Sequence, residues 1–182
     1  MAIYFISGNK NKFEQVKQIL SPEIKIELLD IDLIEIQEVD SHKVLEHKLL
    51  EAQKHHKGEF LVEDTSLYID AMNGLPGPLI KWFLKTLGEE GLYNMTQKLG
   101  HTGAKAKAIF GYSSPNGEVK FFEGEILGNI SSPGRDDGFG WNRIFTPKGF
   151  NKVLSEMTKE EIIKIGMRKI ALEKFKKYYL KK

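Results

Sequence analysis

The stretch that most restricts this fold is Leu61 to Phe83, LVEDTSLYIDAMNGLPGPLIKWF. An apolar, β-branched run leads directly into two adjacent acids, Glu63 and Asp64, then two hydroxyls, Thr65 and Ser66. A Gly/Pro loop and an aromatic-tipped segment follow. A buried strand that ends in paired carboxylates is costly unless something neutralises them. A divalent cation is the usual solution, and a cation held by carboxylates commonly has phosphate as its other ligand. The stretch therefore points towards nucleotide chemistry. Adjacent side chains on a strand face opposite sides, so only one of Glu63 and Asp64 can face a given cleft. The other must reach solvent or a second partner. A strand that has simply run out into solvent would read the same way.

The 182 residues suffice for one sizeable domain or two small lobes sharing a core. A net charge of +2 does not argue for a nucleic-acid binder. No apolar run approaches the roughly 20 residues that span a bilayer, and no membrane partner is expected. The N-terminus, MAIYFISGNKNK, reads as strand and turn, not as a signal peptide. With no cysteine there is no disulfide framework, thiolate nucleophile or Cys-ligated zinc. The expectation is a reduced, soluble, cytoplasmic protein.

Periodicity predicts a strand over Ala2–Ile6, a polar turn Ser7-Gly8-Asn9-Lys10-Asn11-Lys12, and a helix from Lys12 to Leu20. Ile24 to Leu28 alternates like a strand, and Ile31 to Ile36 follows with interleaved acids. Ser41 opens a long amphipathic helix to His56, closed by Gly58. A strand Phe60–Asp70 precedes the Gly74/Pro76/Gly77/Pro78 loop, and two helices span Leu79–Leu87 and Glu90–Leu99. Lys105–Ser113 and Glu118–Leu127 form a hairpin about Ser114-Pro115-Asn116-Gly117. A glycine-rich stretch, Ser131–Trp141, leads to a short strand at Ile144-Phe145. Helices at Lys159–Ile165 and Arg168–Tyr179 close the chain. Intermixed strands and helices with one clear hairpin imply an α/β protein with a mixed sheet, not an all-parallel one.

Four segments could carry chemistry. The turn Ser7 to Lys12 sits between a strand and a helix N-terminus, where backbone N–H groups and the dipole favour an anion and Lys10 and Lys12 add charge. It lacks the Walker A and G-x-G-x-x-G frames, and an ordinary solvated turn reads alike. Glu63-Asp64 is the second, with Glu35 and Glu38 as further ligands or as a solvated strand face. Gly138-Phe139-Gly140-Trp141-Asn142 is the third: glycines beside two aromatics let a flat ligand approach, or simply make a packed turn. Arg168, near Lys164 and Lys169, is the fourth, against the usual fate of such a cluster as a solvated helix face. The five histidines show no zinc spacing and read as solvated. The lysine-rich tail reads as the wet face of a helix.

The order of these segments is more specific than any one of them. Hydroxyl-x-Asn-x-x-Lys after the first strand, Glu-Asp-Thr, Gly-Leu-Pro-Gly-Pro with Ile-Lys-Trp-Phe, Phe-Gly-Trp, then Glu-Met and a late Arg: this series resembles the inosine triphosphate pyrophosphatase family. The resemblance covers essentially the whole chain and is closest at Gly74 to Leu84. It implies a single nucleotide pyrophosphatase domain over residues 1–182, with an elongated mixed sheet flanked by helices, two lobes, and an active-site cleft between them. It also implies a homodimer, and Mg²⁺ as cofactor with Mn²⁺ as an alternative. The implied reaction cuts a nucleoside triphosphate such as ITP, dITP or XTP to the monophosphate and pyrophosphate.

Carried over, Ser7, Gly8, Asn9 and Lys12 stand where the family binds triphosphate, with Lys10 and Asn11 in the same turn; Ser7 keeps the hydroxyl of the commoner Thr. Glu35 falls on the acidic metal position and Asp64 on the metal-binding, water-activating carboxylate. Lys48 matches a substrate-contacting lysine, and Thr65 is a neighbouring contact. Phe139, Gly140 and Trp141 match the base-pocket segment, and Arg168 the late arginine.

The chain departs from the pattern at its end. F-G-[WY]-D-P is here Phe139-Gly140-Trp141-Asn142-Arg143, and E-K-N-x-x-S-H-R is Glu161-Ile162-Ile163-Lys164-Ile165-Gly166-Met167-Arg168. The losses fall in the part that reads the base. A carboxylate can only accept a hydrogen bond, whereas the Asn142 amide can turn either edge. Altered base selectivity with retained chemistry is the expectation, unless Lys164 stands in for the lost lysine. The competing readings are a non-catalytic nucleotide-binding descendant, a related pyrophosphatase for another modified or canonical nucleotide, and, least favoured by charge, a nucleic-acid binder.

Overall fold

The computed structural model describes residues 2–31, 33–135 and 140–182. Its seven strands form one mixed sheet. The elements in chain order are β1 (Ile3–Ile6), α1 (Lys10–Leu20), β2 (Ile26–Leu29), α2 (Ser41–His55), β3 (Glu59–Ile69), β4 (Pro76–Gly77), α3 (Ile80–Lys98), β5 (Gly103–Ser113), β6 (Val119–Ile130), β7 (Phe145–Pro147), α4 (Lys159–Ile165) and α5 (Met167–Tyr179). The strand order is β2-β1-β3-β5-β6-β7, with β4 paired to β3. β1 pairs in parallel with β2 and β3, while β3–β4 and β6–β7 are antiparallel. The expected mixed sheet and its hairpin are therefore present. Among the described residues no helix is long and apolar enough to cross a membrane.

Two expectations shift. The two helices after the Gly/Pro loop lie in one range, α3, interrupted at Gly88 (φ 68°, ψ 176°). That left-handed backbone is a conformation glycine adopts readily, so the periodicity breaks there without a loop. The described residues of the acid-interleaved run after β2 have no regular structure.

The chain divides into two compact units. The first comprises Met1–Asp64, Ala108–Gly124 and Arg168–Lys182. On one face of its sheet, Leu45, Leu49 and Ala52 of α2 pack with Ile6, Phe60, Val62 and Ile109. A Cβ at Gly111 would lie 3.1 Å from Leu49 Cδ1 and 3.3 Å from both Leu45 Cβ and Val62 Cγ2, so glycine permits this close approach of helix and strand. On the other face, α5 buries Ala171, Leu172 and Phe175. Its rings meet Tyr112 and Phe122 at centroid distances of 5.5 and 5.3 Å from Phe175. Alternation along β5 explains the division: Ile109 and Gly111 face α2, and Tyr112 faces α5.

α5 is fastened to β3 near both helix ends. Arg168 in its first turn bonds Glu63, and Tyr179 at its last residue bonds Glu59. The helix spacing of 11 residues covers about 16 Å, and the strand spacing of 4 covers about 13 Å. The helix runs back along the strand that carries both acids.

The second unit comprises Thr65–Lys107 and Glu125–Met167. Its core includes Leu67, Ile69, Leu92, Ile144 and Phe145. Thr158 caps α4 through a reciprocal capping box with Glu161, whose carboxylate also holds Lys152 at 2.9 Å.

Candidate active site

Extending the parallel register in which Phe5 faces Leu61 sets Ser7 level with Glu63, where β1 ends. Ligands of α/β sheets gather at the carboxyl ends of such strands. The turn after β1 is tightly organised. Ser7 Oγ accepts from the Asn9 N–H at 3.1 Å. Asn9 is the N-cap of α1, and its Oδ1 accepts from the N–H groups of Asn11 and Lys12 at 3.0 and 3.3 Å. The expected anion-facing amides are thus partly taken up by the turn itself. The Lys10 and Lys12 charges and the helix dipole carry more of any anion attraction than the sequence suggests. Gly8 has no heavy atom within 4 Å of a Cβ placed on it, so the turn leaves open space there.

Glu63 and Asp64 do point to opposite faces. Glu63 is neutralised by two side-chain cations, where the sequence suggested a metal ion for the pair. Arg168 Nε donates to Glu63 Oε1 at 2.8 Å, and Lys12 Nζ pairs with Oε2 at 3.5 Å. The Glu63 side chain is 2% exposed and that of Arg168 16%. Burial pushes the Glu63 carboxyl up, but Arg168 and Lys12 outweigh it and hold it below its ordinary value. Arg168 Nη1 also donates to Gln15 Oε1. Arg168 is therefore a half-buried structural and electrostatic partner, not a solvated face.

Asp64 faces α2, where Ser41 Oγ donates to its Oδ2 at 3.0 Å. Sequence alone makes Ser41 the helix opener. Asp40 is the cap, its side chain accepting from the His42 N–H at 2.9 Å, which releases the Ser41 hydroxyl for Asp64. Lys48, further along α2, pairs with Glu35. Thus Ser7, Gly8, Asn9, Lys10, Asn11 and Lys12 share one turn, Lys12 and Arg168 meet on Glu63, and Lys48 meets Glu35. Gln15 and Ser41 were missed, and Glu63 was singled out only as one of an acid pair for a metal ion, not as the partner of Lys12 and Arg168. Asp40-Ser41, two consecutive capping residues where one is needed, was the available signal for Ser41.

In the second unit, Thr65 is partly buried on β3. Gly140, Trp141, Asn142 and Arg143 form a 3-10 turn. Trp141 is buried edge-to-face against Phe145, with centroids 5.6 Å apart, so its ring is a core element. Asn142 is half-buried. Phe139 and Gly138 lie outside the described residues. Arg143 Nε donates to Arg135 O at 2.9 Å and Nη2 to Gly134 O at 3.3 Å, while Nη1 pairs with Glu89 at 3.5 Å. Proline, which the family pattern has here, could make none of these bonds. Lys164 is exposed on α4.

Among the described residues no group of three or more acids or histidines gathers to hold a metal ion. The two acids lie midway along β3, not at its end as the sequence suggested, because the strand runs on to Ile69. A mixed-sheet α/β protein with paired carboxylates level with the end of β1, beside a capped and lysine-flanked helix, is the class these features define. The chain belongs to the Ham1 family, whose model matches residues 3–178. It is 42% identical over 178 residues to the inosine triphosphate pyrophosphatase of Schizosaccharomyces pombe, covering 97% of this chain and 94% of the relative. It is 41% identical over 182 residues to the inosine triphosphate pyrophosphatase of Neurospora crassa, covering 98% and 93%. In fold it matches a HAM1 protein from Coxiella burnetii with TM-score 0.80 at 20% identity, covering 100% of both chains. A dITP/XTP pyrophosphatase from Mycobacterium abscessus gives TM-score 0.76 at 24% identity, covering 96% of this chain and 98% of the other.

Proposed function

We propose that this chain hydrolyses non-canonical purine nucleoside triphosphates such as ITP, dITP and XTP to the monophosphate and pyrophosphate. The observation that carries this reading is the pairing of an oriented carboxylate, Asp64 held by Ser41, with a cationic, capped helix start at the end of β1, in a chain whose relatives bear that enzyme name. Phosphoryl chemistry depends mainly on positioning and charge neutralisation. Lys10, Lys12 and the start of α1 receive the triphosphate and stabilise the departing pyrophosphate. Asp64 holds the attacking water, or takes its proton, for in-line attack at the α-phosphorus. Lys48 and Arg168 add substrate contacts, and Thr65 a neighbouring one.

Glu35 and Asp64 are the residues that would hold Mg²⁺, with Mn²⁺ as an alternative. Two carboxylates suit an ion that keeps several waters and binds through one or two acids plus substrate phosphates. When bound, such an ion neutralises phosphate charge and acidifies water. The family resemblance assigns Phe139, Gly140, Trp141 and Asn142 to recognition of the base. Inosine and xanthine offer an N1–H donor and a 6-oxo acceptor; adenine offers the reverse. Asn142 can satisfy either, and a hydrogen-bonding mismatch is worth up to about 10⁴-fold in discrimination. Weakened preference for ITP over ATP follows. A cytoplasmic homodimer completes the reading on resemblance, and light scattering measures the dimer.

Pyrophosphate release from ITP, XTP, dITP, GTP and ATP, with Mg²⁺ and with EDTA, tests the reading. Metal-dependent release that falls at least about 10²-fold in Asp64→Asn is expected. No release from any substrate by folded protein would replace the enzyme with a nucleotide binder, and strong ITP preference would overturn the role given to Asn142.

A further inference from the structure

The Glu63 carboxylate has no place in the chemistry above, yet it is the most thoroughly buried charge near the site. It sits on the face of β3 opposite Asp64. Its two partners come from the first turns of two different helices, Lys12 from α1 and Arg168 from α5. Two cations brought this close repel each other, and a single carboxylate between them removes that cost. The trio still carries one net positive charge, from two cations and one anion, and so continues to attract an anion. The guanidinium has five N–H donors. Its described bonds use Nε to Glu63 and Nη1 to Gln15, which leaves donors for an oxyanion.

We infer that Glu63 is a positioning residue that holds Arg168 and Lys12 side by side as a preset clamp for the pyrophosphate group. The inference rests on the pyrophosphatase reading, and it adds what sets the geometry of the two cations. Stable packing alone would need only the negative charge. Positioning needs the length of the side chain as well, because Arg168 Nε and Lys12 Nζ are reached by the two oxygens of one carboxylate.

Glu63→Asp separates these roles, because it keeps the charge and shortens the reach by one methylene. The expected result with ITP is a kcat lower by about 10- to 100-fold with KM within about threefold, since misplacing a catalytic contact by an ångström can cost that much. Wild-type kcat in Glu63→Asp would overturn the inference, as would a loss confined to KM. A second readout does not depend on turnover. The side-chain Nε–H signal of Arg168, assigned by its loss in Arg168→Met, should exchange slowly in the wild type and shift when inorganic pyrophosphate is added. In Glu63→Asp it should exchange rapidly. Equal protection in both proteins, or no response to pyrophosphate, would sink the clamp. If the wild type cleaves no nucleotide, the pyrophosphatase reading fails, and this second readout still decides the role of Glu63.

Discussion

Glu59, four residues before Glu63 on the same face of β3, is the other buried acid that β3 presents to α5. It accepts from Tyr112 OH and from Tyr179 OH, the latter at 2.7 Å, and pairs with Lys182 at 3.6 Å. Burial pushes its carboxyl up, but these partners outweigh that and hold it below its ordinary value of 4.5. Burial and the bond to Glu59 push the Tyr179 phenol from 10.0 up to about 12, and the Tyr112 phenol up as well. The signs follow from linkage. Glu59 contributes stability above pH 4.5 that is lost as pH falls through its lower folded value. Tyr179 contributes stability below pH 10.0 that is lost as pH rises through about 12. Tyr179→Phe should cost roughly 1 kcal/mol at pH 8, as one net hydrogen bond does. It should also flatten the decline between pH 10 and 12, read by urea unfolding at each pH; identical profiles for the two proteins would contradict the assignment. At this scale the sequence was half legible. Strand alternation told that Glu63 and Asp64 diverge, but Arg168 is 105 residues from Glu63 and 153 from Gln15, and no local pattern reports such partners.

α2 carries both Ser41 and Lys48, so its seat on the sheet sets the distance between Asp64 and its holder. That seat depends on Gly111. Gly111→Ala would press a methyl against Leu49, Leu45 and Val62 at 3.1 to 3.3 Å. Overpacking of this kind costs about 1–3 kcal/mol. Denaturant unfolding should show the loss, and pyrophosphate release should fall as Ser41 moves off Asp64. Unchanged activity in a destabilised protein would separate α2 from the chemistry. Most elements were legible because period and turn residues are local signals. The acid-rich run between β2 and α2 was less so. Its interleaved apolar residues imitate a strand, but its described residues enter no ladder, and Glu35 there answers to Lys48 on the following helix.

At the scale of the molecule, the mixed sheet follows from one hairpin set among alternating helices and strands. The division into two units does not follow from any linker, because β3, β5 and β6 each contribute to both. The two carboxylates assigned to metal already have protein partners, Lys48 for Glu35 and Ser41 for Asp64. Mg²⁺ alone should therefore leave the thermal midpoint unmoved, whereas Mg²⁺ with a non-hydrolysable ITP analogue should raise it. Binding at a hundred times the dissociation constant adds about 2.7 kcal/mol. A large shift with Mg²⁺ alone would mean that the ion binds without substrate. The fastening of α5 along β3 has a practical corollary. Trimming the chain before Tyr179, or fusing a purification handle straight onto Lys182, disturbs the anchor at Glu59. That strain reaches, along one strand, Glu63, which holds Lys12 and Arg168, and Asp64, to which the proposed chemistry gives the water.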